Sequence, residues 1–133
     1  MMSRNIKIII AGGRDFKNLE AVKVEVDGIL KSYLGDNIDK TKIEIVSGGA
    51  RGADKLAEIV AKELSIPNKV FNANWNKYGK SAGLIRNKQM ANYVASSDCK
   101  GILLCFWDGQ SKGTENMIQT AKNIGIEVKV VYY

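Results

Sequence analysis

Five short apolar runs, at residues 6–11, 43–47, 69–73, 101–107 and 126–132, constrain this chain more than any other feature. They are nearly unbroken and rich in β-branched residues, as in Ile6-Lys7-Ile8-Ile9-Ile10-Ala11. A strand with one wet face would alternate apolar with polar residues. An unbroken run needs apolar cover on both faces, which parallel sheets flanked by helices provide. Helical periods fill the intervals between the runs. Val22, Val26, Ile29, Leu30 and Tyr33 mark one helix, and Ala53, Leu56, Ala57, Val60, Ala61 and Leu64 a second. A third is predicted over 81–96, and a fourth carries Met117, Ile118, Ala121 and Ile124. Ile66-Pro67 and Gly125 are stop signals for the second and fourth. The alternation predicts an α/β fold: one Rossmann-like three-layer domain over residues 1–133, with a mainly parallel five-stranded sheet. The connection at 74–81, polar and aromatic, is the one irregular join.

Several chemistries are excluded early. No stretch approaches the roughly 20 apolar residues that span a bilayer. The apolar run at 8–11 is too short for a signal sequence, so a cytoplasmic protein without membrane association is expected. The chain has no histidine, which removes Ser-His and Cys-His nucleophile pairs and any His-ligated zinc. Cys99 and Cys105 lack metal-ligand spacing, and Cys105, inside an apolar run, reads as a core residue. No metal or cofactor is called for. The net charge of +6 is uneven: after Lys69 the only acids are Asp98, Asp108, Glu115 and Glu127. A partner carrying negative charge is expected, either a small-molecule phosphate or a nucleic acid backbone.

In sheets of this kind ligands bind beyond the carboxyl ends of the strands. The loops at those places are Gly12-Gly13-Arg14-Asp15-Phe16, Ser47-Gly48-Gly49-Ala50-Arg51-Gly52-Ala53-Asp54, Asn74–Lys80, and Asp108-Gly109-Gln110-Ser111-Lys112-Gly113-Thr114-Glu115. Glycines let a ligand approach backbone N–H groups, and the unpaired amides of a helix's first turn favour an anion. Arg51 offers a fork suited to phosphate. A tight strand-to-helix turn would use the same glycines, but their repetition on one sheet edge favours an anion site. The spacing fits neither the dinucleotide fingerprint nor the P-loop, so NAD or ATP binding on those motifs is not indicated. Residues 75–90 carry four basic residues and no acid. There Trp75 and Tyr78 could stack on a base, and Lys77, Lys80 or Arg86 could meet phosphate. A solvated basic loop is the plainer alternative.

Taken together, these residues resemble the SLOG superfamily, the Rossmann-like fold shared by the DNA-processing protein Smf/DprA and the LOG phosphoribohydrolases. Ser47–Asp54 is similar to the SGxARGxD loop of the DprA type, and Gly109-x-x-x-Gly113-Thr114 to the GGxGT loop of LOG. Arg86 and Met90 match the spacing of LOG's R-K-x-x-M segment, with Asn87 in place of the lysine. With Gly12–Phe16, the chain looks most like the small YspA-like branch.

The resemblance implies a nucleotide or nucleotide-derived ligand, no cofactor, and a homo-oligomer, most simply a dimer. The expected binding residues are Gly12, Gly13, Arg14, Ser47, Gly48, Gly49, Arg51, Gly52, Asp54, Trp75, Lys80, Arg86, Asn87, Gly109, Ser111, Gly113 and Thr114. In the LOG branch the resemblance also implies cleavage of an N-glycosidic bond. There a glutamate follows the threonine by three residues, where this chain has Met117. An enzyme would then rely on Arg86 with Glu115 or Asp108, or with Asp15 or Asp54 as the acid or base. A binding module is the favoured expectation, a nucleotide N-glycosidase the alternative, and DprA-like binding of single-stranded nucleic acid the third.

Overall fold

The computed structural model describes residues 5–95 and 98–133. The strands are β1 (Asn5–Gly12), β2 (Ile43–Ser47), β3 (Asn68–Val70), β4 (Cys99–Trp107) and β5 (Glu127–Tyr132). The helices are α1 (Leu19–Leu34), α2 (Ala53–Glu63), the single turn α3 (Trp75–Tyr78), α4 (Ala82–Val94) and α5 (Lys112–Ile124). All pairings are parallel, in the order β3-β2-β1-β4-β5. The expected α/β architecture with a five-stranded sheet is therefore present, and the sheet is wholly parallel among the described residues.

Burial explains why the runs are unbroken. Ile6, Ile8 and Ile10 face one side, in a core with Val22, Val26, Ala57 and Val60 from α1 and α2. Ile9 and Ala11, between them in sequence, face the other side with Met90, Val94 and Met117 from α4 and α5. Ile8, Ile9 and Ile10 have no exposed surface at all. Burying each of these side chains stabilises the fold by about 1.5–3 kcal/mol, so both faces of β1 are under the same pressure to stay apolar. Cys99 and Cys105 are both buried.

Two expectations shift. The third strand, predicted over 69–73, is only Asn68–Val70. It is an edge strand, and although the Phe71 N–H still reaches the Ser47 carbonyl at 2.8 Å, the chain then turns away. The join at 74–81 contains α3, because the Asn74 side chain caps it by accepting from the Lys77 N–H at 3.1 Å. A 3-10 turn, Gly79–Ser81, then leads into α4. The third helix, predicted over 81–96, runs from Ala82 to Val94; residue 96 lies outside the described residues.

The strand order reverses at β1. From β1 the chain steps outward to β2 and β3, then returns to place β4 on the other flank of β1. Such a reversal leaves a crevice at the carboxyl ends of the two central strands, where the loops diverge to opposite faces.

Gly52 closes one side of that crevice. It precedes α2 with φ +75°, and a Cβ there would stand 2.2 Å from the Gly13 carbonyl oxygen. The loop after β1 thus lies directly on the start of α2, and the Ala53 N–H donates to that carbonyl at 3.2 Å. Gly52→Ala is expected to destabilise the protein by about 2–4 kcal/mol through backbone strain and collision. Gly28→Ala, inside α1 with nothing within 4 Å of the new methyl, is expected to stabilise it by about 0.5–1 kcal/mol. Denaturant titrations of both variants check this. Equal effects of the two would show that the loop and α2 are not locked together.

Candidate functional site

The crevice is a cleft of about 480 Å³, within the size range of small-molecule sites. Its walls come from four places in the chain. Gly12, Gly13, Arg14 and Asp15 follow β1; Ala50 and Asp54 follow β2. Trp75, Lys80, Leu84, Arg86 and Asn87 come from α3 to α4, and Asp108, Ser111, Gly113 and Thr114 from the β4–α5 connection. Met90 and Met117 give the floor its apolar surface. All four loops singled out in the sequence therefore contribute at least one lining residue.

Not every expected residue reaches the cleft. Ser47, Gly48, Gly49, Arg51, Gly52 and Gly109 are absent from its lining. Arg51 is exposed. The Ser47 hydroxyl is buried without a hydrogen-bond partner among the described residues. Gly49 packs toward Asn72, at the β3 side. Glu115 also lies outside the lining, its carboxylate 3.9 Å from Lys112 one turn earlier. Asp108 does line the cleft, but its Oδ1 accepts from the Gln110 and Ser111 N–H groups, both at 2.8 Å. Those amides hold its carboxyl below the usual range.

Gly48 acts without lining the cleft. Arg86, reaching across from α4, donates from Nη1 to the Gly48 carbonyl at 2.6 Å and from Nε to Asn87 Oδ1 at 3.1 Å. A Cβ on Gly48 would stand 2.4 Å from that Nη1 and 2.9 Å from Asp54 Oδ2. Glycine is needed at 48 because the guanidinium fills the space a side chain would take. Asn87, where LOG has lysine, bridges α4 to α5: its Nδ2 donates to the Gly113 carbonyl at 3.3 Å and to Asn116 Oδ1 at 3.0 Å.

Asp54 is the unusual group. It stands in the first turn of α2, only 6% exposed. Burial pushes its carboxyl up to about 6, against the opposing pull of the Ala50 amide, the Arg86 charge and the Gly48 amide. The Ala50 N–H donates to Oδ2 at 3.1 Å. Burial likewise lowers the Arg86 pKa, with Arg14 adding repulsion and Asp54 resisting. Arg14 and Lys80 make no hydrogen bond or ion pair among the described residues, which leaves both free for a ligand.

Tyr133 escaped sequence reasoning altogether. Its hydroxyl donates to Asp15 Oδ1 at 2.6 Å, and its ring packs on Phe16 with centroids 4.8 Å apart. It thereby holds the loop after β1 at Asp15 and Phe16. Nothing near it in sequence signals this, because β4 and β5 bring it there.

Fold and cleft together are those of an open parallel α/β protein of the Rossmann-like class, with a mixed-charge site at the reversal of strand order. Within that class the chain belongs to the YspA, cpYpsA-related SLOG family, which it matches over residues 6–78. It is also 30% identical over 128 residues to the Gene 61 protein of Mycobacterium phage D29, covering 92% of this chain and 93% of that protein. No solved structure matches it significantly. The family match ends at Tyr78, so Arg86, Gly113 and Thr114 lie beyond it. Among the described residues no helix is long and apolar enough to cross a membrane.

The raised carboxyl of Asp54 has a stability consequence. Its native pKa of about 6 lies above the unfolded value of 3.8. Between those values the native state keeps a proton that the unfolded state has lost, so stability falls as pH rises through the window. Asp54→Asn is therefore expected to stabilise the protein at pH 8, by at most about 3 kcal/mol for a shift of about two units. It should change little near pH 4. Thermal melts at the two pH values check this, and a variant less stable than wild type at pH 8 would refute it.

Proposed function

We propose that the protein binds a nucleotide or a nucleotide-derived small molecule in this cleft and leaves it chemically intact. The observation that carries the reading is convergence: three glycine-bearing loops, two cations free for a ligand and one exposed tryptophan border the same 480 Å³ space. Phosphate is best served on the β4–α5 side, at the start of α5, where Gly113 has open space in place of a Cβ and Ser111 caps the Thr114 N–H. Arg14 and Lys80 supply charge, and Arg86 has a second terminal nitrogen to offer. Trp75 is 51% exposed, with Leu84 beside it in the lining at 49%. A base stacked on such a ring gains about 1–3 kcal/mol.

The chemistry of the walls supports binding over hydrolysis. Departure of a base leaves positive charge on the sugar, which a glycosidase meets with a carboxylate. Met117 occupies the position of the LOG glutamate, 1% exposed and part of the core. Glu115 is paired outside the cleft. Asp108 lines the cleft as an ionised carboxylate, but its Oδ1 is already taken by two amides and it is a poor proton donor to a departing base. One observation favours the N-glycosidase reading instead: Asp54 is a buried carboxyl on the cleft wall whose proton is easily exchanged near neutral pH.

Native mass spectrometry of the purified protein, with titrations of AMP and ADP-glucose followed by tryptophan fluorescence, tests the proposal. Arg14→Ala and Lys80→Ala are each expected to weaken binding by about 1.5–3 kcal/mol, the worth of a charged hydrogen bond. Arg51→Ala should weaken it less. No free base should accumulate from AMP. Base release that Asp54→Asn abolishes would make the protein a hydrolase, and no binding of either nucleotide would remove the nucleotide reading.

A further inference from the structure

We propose that anion binding in the cleft draws a proton onto Asp54, so that this one carboxyl sets how strongly the site holds phosphate-bearing ligands as pH changes. The inference rests on the nucleotide reading and adds a regulatory property to the same site.

The geometry gives Asp54 one effective counter-charge. Asp54 Oδ2 and Arg86 Nη1 both stand within 3 Å of the point where a Cβ on Gly48 would be. The guanidinium is already committed to the Gly48 carbonyl and Asn87, so it cannot swing away from the carboxylate. Every other neighbour is either neutral or unhelpful. From the loop after β1, Arg14 faces Arg86, while Asp15 is tied to Tyr133. Glu58, one turn further along α2, repels the Asp54 charge. From β4, Cys105 feels Asp54 but burial pushes its thiol up to about 12, so it stays protonated. The α5 residues on the wall, Gly113, Thr114 and Met117, carry no charge. Asp108, on the β4 side of the cleft, is a carboxylate whose charge acts on Tyr133 and offers Asp54 no counter-charge.

A phosphate entering this cleft seeks Arg14, Arg86 and Lys80, and so competes with Asp54 for Arg86. Two anions would then share one half-buried guanidinium beside a buried carboxyl. The ligand's charge is fixed, whereas the carboxyl can take a proton, and like charges at short range raise the pKa of the group that can yield. The proton comes from solvent, and no bond is made or broken in the ligand. Protonated Asp54 also gains a donor, able to hydrogen-bond a phosphoryl oxygen that a carboxylate would repel. Linkage makes the effect reciprocal: whatever raises the affinity of Asp54 for a proton makes protonation raise affinity for the ligand by the same factor. The chain has no histidine, so no imidazole contributes a competing titration between pH 6 and 8.

ADP-glucose is a suitable probe, since its diphosphate keeps a constant charge from pH 5 to 9. Binding to the wild-type protein is expected to weaken roughly tenfold per pH unit between pH 6.5 and 8. Asp54→Asn should bind with an affinity that is flat over the range and close to the wild-type value at low pH. Calorimetry on the wild type alone, in buffers of different ionisation enthalpy at pH 7.5, should show uptake of close to one proton per ligand. That measurement stands even if the variant does not fold. Binding that is independent of pH and takes up no proton overturns the inference while leaving the nucleotide reading in place. The same slope in wild type and Asp54→Asn does so too. No binding at any pH removes both.

Discussion

The pairing of β1 with β4 decides where everything else in this protein can go. Eight consecutive residues are matched, from Asn5 with Cys99 to Gly12 with Phe106. Because β2 occupies the other flank of β1, the strand is hydrogen-bonded on both sides and buried on both faces. A strand so placed has only its ends free. Its carboxyl end must open between two loops that leave for opposite faces of the sheet, one toward α1 and the other toward α5. The cleft follows from that divergence, and the polar side chains around it furnish a space the backbone creates.

Much of this was legible in the residues. Nearly unbroken runs such as Ile6–Ala11 are explained by a strand covered on both faces, and the alternate burial of Ile8 and Ile9 against different helices is that explanation in atomic form. Loops rich in glycine were correctly placed at the carboxyl edge, because parallel strands joined by helices put every strand-to-helix turn there. What sequence could not resolve was which way each side chain turns. Arg51 sits among glycines in the loop after β2, yet it is exposed and away from the cleft lining. Arg86, thirty-eight positions from Gly48, fills the space instead. Asp54 is expected among the binding residues from the sequence, but a first-turn aspartate gives no sign there of being buried. Its burial depends on what the finished fold sets beside it, the Gly48 backbone and the Arg86 side chain from α4 among them, a fact of packing and not of pattern. Tyr133 belongs to the same class, since its partner Asp15 is brought near only by the finished sheet.

The electrostatic character of the cleft also depends on packing more than composition. The chain's excess of positive charge suggested an anion, and Arg14, Arg86 and Lys80 line the cleft. Yet three carboxylates line the same space, and the structure treats them differently. Tyr133 engages Asp15, backbone amides fix Asp108 as an anion, and burial keeps Asp54 near its titration point. Three identical functional groups thus acquire three distinct properties from hydrogen bonding and solvent access alone.

The order of the strands has a further consequence for how the molecule comes into being. The segment from β1 to β3 can form its ladder from neighbours in sequence as each helix folds back. Asn5 must wait for Cys99, with α1 to α4 made in between, before the middle of the sheet closes. Contacts between residues so far apart in the chain are slow to find, because loop closure opposes them until many form together. During synthesis, one flank of β1 and the apolar face later covered by α5 stay open until the last quarter of the chain arrives. The same late strand supplies the second wall of the cleft, so the ability to hold a ligand and the completion of the core are a single event. A ligand that binds the closed cleft would favour the finished sheet over its open precursor, and would stabilise the whole protein rather than its loops.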